Sequence, residues 1–402
     1  MKFIYLCNLW NFKYVYFNKS VLYHAAQNNN QEILHLLLSH LRTNKIKPEG
    51  FKHCIKLSEI VIPSFIESIG DFAFFKCHSL KKITIPVSVN NFGNGCFSEC
   101  DSLTEVIIPS SESSIGKDAF RYCVSLRKIT ILSSIKQIED KVFQFCEKLE
   151  EIIIPDSVKI IGNHCFDGCL SLKQIKIPNV TSIGDFAFND CESLRDVIIS
   201  SSLTSIGEYA FNICSSLNQF EIPTSVTSIG SNIFKQCSSL TKIKIPSSIK
   251  SIENNTFERC FALIQIEIPS SVTIIGIEAF CDCKSLKKIT IPSSVSSIGK
   301  RSFSGCQSLD EVIFEEPSSL TKINERTFYC CSSLKTISIP SGVTSIKTNA
   351  FGGCLSLTNV IFPSTLIEIE NNVFKNCSSL KQITIPSIGL QELKLKPLII
   401  RT

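Results

Sequence analysis

The sequence predicts an α/β solenoid, a chain wound into about 15 coils of 23 residues behind a short helical segment. Three observations carry this. The pattern F-x-x-C-x-x-L occurs fifteen times in one frame, at Phe51, Phe74, Phe97, Phe120, Phe143, Phe166, Phe188, Phe211, Phe234, Phe257, Phe280, Phe303, Phe328, Phe351 and Phe374. The spacing is 23 residues, except 22 before Phe188 and 25 before Phe328. Each pattern is followed by alternating aliphatics, I-x-I, and in twelve units by a proline. A unit this short cannot close a core alone, but stacked on its neighbours it can.

Composition agrees. Hydrophobic residues make up 44% of the 402 and charged residues 19%, a folding composition. One Met and one Trp stand against 28 Phe, an imbalance that repetition explains. The net charge of +5 does not by itself point to nucleic acid. No segment reaches the ~18 consecutive apolar residues of a membrane span. The opening stretch, MKFIYLCNLWNFKYVYF, is interrupted by Asn8, Asn11 and Lys13 and lacks a small-residue cleavage site, so it reads poorly as a secretory signal. The closing LKLKPLIIRT is too short for an anchor.

Residues 1–50 precede the first coil. Within them, SVLYHAAQNNNQEILHLLLSH (20–40) places Leu22, Ala25, Ala26, Glu32, Ile33, Leu36, Leu37 and Leu38 at the spacing of two short helices joined by Asn28-Asn29-Asn30. The stretch resembles one ankyrin unit, with Ser20, Val21 and Tyr23 departing from that pattern. A single such unit needs neighbours to bury its face. It reads either as the remnant of a longer ankyrin-type domain or as a helical cap on the array. Coils then fill 51–388, and 389–402 form a tail.

Within a coil, I-x-I has the period-two alternation of a short strand with one buried face. Proline ends that strand because it has no N–H for a ladder. The Ser-Ser-Val-x-Ser-Ile-Gly stretch suits a turn and a second short extended piece, with Gly at a bend of positive φ. The A-F-x-x-C portion reads as a single helical or 3₁₀ turn.

This unit follows the leucine-rich-repeat logic of L-x-x-L-x-L followed by a buried Asn or Cys. In its 23-residue length, its I-P-x-S-V-x-x-I-G-x-x-A-F run and its F-x-x-C-x-S-L junction, it resembles the BspA-like subclass; IPSSVTIIGIEAFCDCKSLKKITIP (268–292) shows the whole pattern. The resemblance implies a right-handed leucine-rich-repeat solenoid with parallel strands on the concave face. It also implies binding rather than chemistry: members are surface antigens associated with adhesion to host matrix proteins and host cells. Cell-surface location is thus expected from the resemblance, and a cytoplasmic one from the missing signal and anchor. The alternative function is an intracellular scaffold combining ankyrin-like and leucine-rich repeats.

Fifteen of the 20 cysteines occupy the ladder, from Cys54 to Cys377; Cys7, Cys96, Cys165, Cys281 and Cys330 do not. Stacked coils would bring ladder cysteines within disulfide range, yet each has equivalent neighbours on both sides and nothing defines pairs. Zinc needs ligands converging on one point, which a linear column does not offer. The expected role is a small buried side chain whose thiol donates weakly to a neighbouring carbonyl. The six histidines form no ligand or catalytic motif, the serines sit at turn positions, and the one insertion is two residues long, in FEEPSSLTKI (314–323). No enzyme, metal or other cofactor is expected.

Partner-binding residues are sought on the outward side of the strands. The position after Leu carries Lys81, Arg127, Lys173, Arg195, Lys287, Lys335 and Lys381 against Glu150 and Asp310, a basic stripe if it lines one rim. Thr241, Lys242 and Lys244 can also vary without disturbing a core. The position before the first aliphatic alternates in sign over Glu59, Lys82, Glu105, Lys128 and Glu151, which reads as a solvated face that avoids like-charge stacking. The middle position holds Val61, Ile107, Ile153, Ile198, Ile313 and Ile361 among polar residues, a semi-apolar strip suited to protein contact. The expected partner is a protein ligand, not nucleic acid, because no aromatics interleave with the basic stripe. The chain is expected to be a monomer. Sequons at Asn18, Asn179, Asn254 and Asn376 bear on function only if the protein is exported.

Overall fold

The computed structural model describes residues 19–109, 114–132 and 134–384, together with the backbone of 394–395. The apolar opening stretch, Cys7, Asn18 and the rest of the 389–402 tail lie outside the described residues. The chain divides into two compact units, Met1–Ile135 with Lys141–Pro155, and Lys136–Asp140 with Asp156–Thr402. Both are built from 23-residue coils whose strands pair in parallel.

Each coil contributes two strands. The longer one holds the I-x-I triplet and alternates exposed and buried residues, as in Glu105–Ile108 and Gln174–Ile177. The shorter one is the Ser-Ile pair before the glycine. In the first unit the short strands Lys45–Ile46, Ser68–Ile69, Asn91–Phe92 and Ser114–Ile115 form one ladder in strict register. In the second, five coils from Gln137–Ile138 to Ser228–Ile229 do the same. The second serine of the P-S-S-V run tightens this stack: the Ser88, Ser225 and Ser294 hydroxyls donate to carbonyls one coil back, at 2.6, 2.6 and 2.7 Å.

The A-F-x-x-C segment is not a helical turn. Its amides alternate between partners: Phe72, Phe74 and Lys76 donate to Asn94, Cys96 and Ser98 of the next coil, while Phe75 and Cys77 donate back to Phe72 and Phe74. A helix would turn every N–H back along its own chain. The alternation needs two left-handed residues per coil, such as Phe72 and Lys76 at φ 54° and 60°, and most coils supply them without glycine.

The glycine after Ser-Ile has the opposite role to the one expected. Gly70, Gly93 and Gly116 are absent from the positive-φ residues. Instead, a Cβ on Gly116 would lie 2.7 Å from the Asn94 amide nitrogen of the preceding coil, and one on Gly70 only 2.5 Å from the Pro48 nitrogen. Here the missing side chain allows close approach between coils. The next residue reinforces the contact: Asp71 and Asn94 carboxyl and amide oxygens accept the Asn94 and Lys117 amides at 2.8 and 2.9 Å.

The core is a set of columns. Phenylalanine rings stack face to face from Phe51 to Phe143 in the first unit, with centroids 4.9 Å apart at Phe51–Phe74, and from Phe166 to Phe374 in the second. Their burial, with that of the leucines and strand aliphatics, is the main stabilising contribution, at roughly 1.5–3 kcal/mol per large side chain.

Among the described residues, two helices, α1 (Lys19–Gln27) and α2 (Gln31–Ser39), precede the first coil. Asn30 caps α2 by accepting the Ile33 amide. The hairpin is tied to the first coil by polar side chains. Asn29 exchanges hydrogen bonds with Ser58, and the Gln31 amide donates to the Glu59 carbonyl at 2.9 Å, at the edge of the first long strand.

Candidate functional site

Most coils expose the same three positions on the long strand, so whatever varies there is presented at a fixed spacing. The middle residue is the most exposed apolar group: Val61, Ile107, Ile153 and Ile198 are 56%, 49%, 64% and 57% accessible, and Ile361 is also exposed, while Ile313 is half-buried. In register, Val61 lies beside Thr84, and Ile107 and Ile153 lie on either side of Thr130. The first unit therefore shows a strip in which β-branched residues alternate aliphatic and hydroxyl.

Lys81, Arg127, Lys173, Arg195, Thr241, Lys242, Lys244, Lys287, Lys335 and Lys381 are all exposed on this side of their coils. The position after Leu forms a true column, because its amides donate to the equivalent carbonyl one coil back, as in Arg195 to Lys173, Asp310 to Lys287 and Lys381 to Thr358. The column is not a continuous basic stripe. Lys173 and Arg195 are adjacent, but Asn218, Thr241 and Ile264 follow them, and Asp310 separates Lys287 from Lys335. Some cations are also spoken for: Arg127 pairs with Glu150 at 2.9 Å, and Lys288 with its register partner Glu311 at 2.8 Å. Opposite charges sit side by side in the register pairs Glu59–Lys82 and Glu105–Lys128, as expected of a solvated face.

The long-strand ladder is interrupted where the short ladder is continuous. Asp196–Ile199 pairs only with Gln174–Ile177, and Gln219–Glu221 only with Lys242–Lys244. Between them lies a cleft of about 450 Å³ lined by Arg195, Asp196, Val197, Ile198, Gln219, Phe220, Glu221, Lys242, Ile243 and Lys244. One substitution in the repeat falls at this break. Phe220 stands where the adjacent coils carry Val197 and Ile243, and its ring packs 4.9 Å from both Phe211 and Phe234. Val197 and Ile199 are half-exposed, while Ile175 and Ile177 at the same positions one coil back are buried. The periodic reading missed this cleft, although two signals were present: an aromatic in an aliphatic column, and Ser200 in place of the strand-ending proline.

The cysteine column is structural. Each described ladder thiol from Cys77 to Cys146, and from Cys191 to Cys377, donates to the carbonyl of the phenylalanine one coil back, as Cys237 does to Phe211 at 3.1 Å. The described cysteines are free thiols. Burial pushes the Cys123, Cys237 and Cys283 thiols far above their ordinary value, and Cys281, which is less enclosed, up to about 11. Such thiols stay protonated at neutral pH and are poor nucleophiles. Among the described residues, no group of three His, Cys, Asp or Glu is placed to hold a metal ion, and no helix is long and apolar enough to cross a membrane. His78 and His164 instead contact Asp101 and Asp167, at 2.8 and 3.0 Å.

The model of the BspA type leucine rich repeat region matches residues 44–173, 136–264 and 250–381, in six copies. Among solved structures, a leucine-rich repeat protein from Bacteroides ovatus is 31% identical, with 84% of this chain and 81% of that one covered at a TM-score of 0.58. A leucine rich cell surface protein from Faecalibacterium prausnitzii is 26% identical over 88% of this chain and 86% of its own, with a TM-score of 0.43. A leucine-rich repeat protein from Eubacterium ventriosum is 23% identical over 86% of each chain, at 0.41. No curated protein matches this chain.

Proposed function

From the premise that this chain belongs to the BspA-type leucine-rich repeat family, we propose that it is a non-enzymatic protein-binding module that acts in adhesion to host proteins or cells. The observation that carries this reading is the long-strand face. Exposed aliphatics recur there at a fixed spacing, flanked by charges, on a backbone held by two other hydrogen-bonded columns. An apolar centre with a charged rim is the anatomy of a protein interface. Rigid presentation also lowers the ordering cost of binding. The named likeness to a cell surface protein supports display outside the cell. The helix pair, joined by hydrogen bonds to the first coil, acts as a cap on the first strand's open edge.

Binding of the purified chain to immobilised extracellular-matrix proteins tests this. Saturable binding to at least one of them is expected, weakened tenfold or more in an Ile107→Asp, Ile153→Asp variant and unchanged by Lys375→Glu on the turn side. Amine-directed labelling of intact cells tests location. Label that reaches the protein only after lysis would sink the adhesion reading and leave an intracellular scaffold in its place.

A further inference from the structure

We propose that the cleft between Asp196–Ile199 and Gln219–Glu221 is a docking slot for an extended acidic segment of a partner protein. One apolar side chain of the segment sits against Phe220, and its carboxylates meet Arg195, Lys242 and Lys244. The inference rests on the protein-binding reading and narrows it to one place and one class of partner.

The slot is built by the repeat's own irregularity. Phe220 takes more room than the aliphatics at its position, and its strand pairs with Lys242–Lys244 but not with Asp196–Ile199. Two facing strand edges are thereby left with backbone donors and acceptors that the rest of the sheet would satisfy. An extended segment lying across this break can reach the cleft with its side chains without bringing a folded element. The volume of about 450 Å³ lies within the range of small-ligand sites and holds one or two side chains rather than a folded element. Val197, half-exposed here, and the exposed Ile198 supply apolar wall for the anchor.

Charge selects the partner. Elsewhere on the face some cations pair with anions, as in Lys288–Glu311 and Arg127–Glu150. Around the slot, Arg195, Lys242 and Lys244 are exposed and form no ion pair among the described residues. These three cations outnumber the slot's two carboxylates, Asp196 and Glu221. The arrangement therefore favours a ligand that carries negative charge on both sides of an apolar residue. Phe220 is only 5% accessible, so the slot has no aromatic platform for stacking a base or a sugar ring.

Fluorescence anisotropy with a labelled ten-residue peptide of alternating Glu and Leu tests the slot, with the matched Lys and Leu peptide as its opposite. The full chain should bind the acidic peptide at micromolar concentration and the basic one at least tenfold more weakly. Lys242→Glu with Lys244→Glu should weaken the acidic peptide tenfold or more. Phe220→Ile should do the same by changing the floor of the slot, while Lys288→Glu, on a paired part of the face, should change binding less than twofold. Equal binding of the two peptides, no binding of the acidic one, or indifference to both slot variants overturns the proposal. So does displacement of the peptide from the slot by a short heparin oligosaccharide or RNA at lower concentration than by unlabelled peptide. If the slot fails while Ile107→Asp, Ile153→Asp still abolishes matrix-protein binding, the protein-binding reading survives without it.

Discussion

Within each coil, the turn segment and the long strand sit on the same backbone yet tolerate change very differently. In the turn segment, phenylalanine rings stack at 4.9–5.9 Å, every described ladder thiol is buried, and the main chain bonds alternately within and between coils. The long-strand ladder pairs in runs of two or three and breaks between them. A column works only if each member matches the next, so one altered ring strains two neighbours. A strand held from behind by two regular columns can lose a ladder bond and change its outward residues without unfolding the coil. Variation therefore accumulates on one side of the repeat, the side proposed for binding.

Mutations on the two sides should differ most in stability. Phe188→Ala removes a ring stacked on both Phe166 and Phe211 and should cost about 3–5 kcal/mol by denaturant unfolding. Cys237→Ala keeps the column's size roughly intact but removes the thiol's hydrogen bond to the Phe211 carbonyl, which keeps the Cys214 amide; about 1 kcal/mol is expected from the same measurement. On the strand face, Lys288→Ala breaks an exposed pair with Glu311 and should change stability by less than about 0.5 kcal/mol. If Lys288→Ala cost as much as Cys237→Ala, the contrast between the two sides would be lost.

The smallest effect is a pH dependence in the second unit. Burial raises the Glu370 carboxyl, but hydrogen bonds from the Thr348 hydroxyl and the Lys347 ammonium, with the Thr348 amide, hold it below its ordinary value in the folded chain. A depressed folded pKa stabilises above the unfolded value and is lost as pH falls through the folded one. Because the group is largely solvent-screened, Glu370→Gln should remove at most about 0.5 kcal/mol at pH 7. The variant and the wild type should converge as pH drops below the carboxylate range.

The sequence made the period, the two strands per coil, the phenylalanine and leucine columns and the cysteine ladder legible, because each repeats fifteen times against a changing background. It misled on two local matters. A-F-x-x-C has a helix-friendly composition, and nothing in Phe72 or Lys76 announces a left-handed backbone; that conformation is imposed by bonds to the next coil, which a single unit does not contain. The glycine after Ser-Ile looked like a bend and is instead a contact surface, a distinction visible only once Asn94 lies against Gly116. The exposed face of the long strand was legible, since Lys242 and Lys244 vary where the core does not. The cleft was hidden because it falls at one departure, Phe220, beside the strand it fails to pair with.

Amide hydrogen exchange across the second unit tests this division of labour most directly. The account predicts that turn-segment amides such as Phe188 and Phe211, bonded to Ala210 and Ile233, exchange only with unfolding of the unit. Amides at the facing edges of Asp196–Ile199 and Gln219–Glu221 should exchange at least a hundredfold faster. Equal protection at the two places would contradict it.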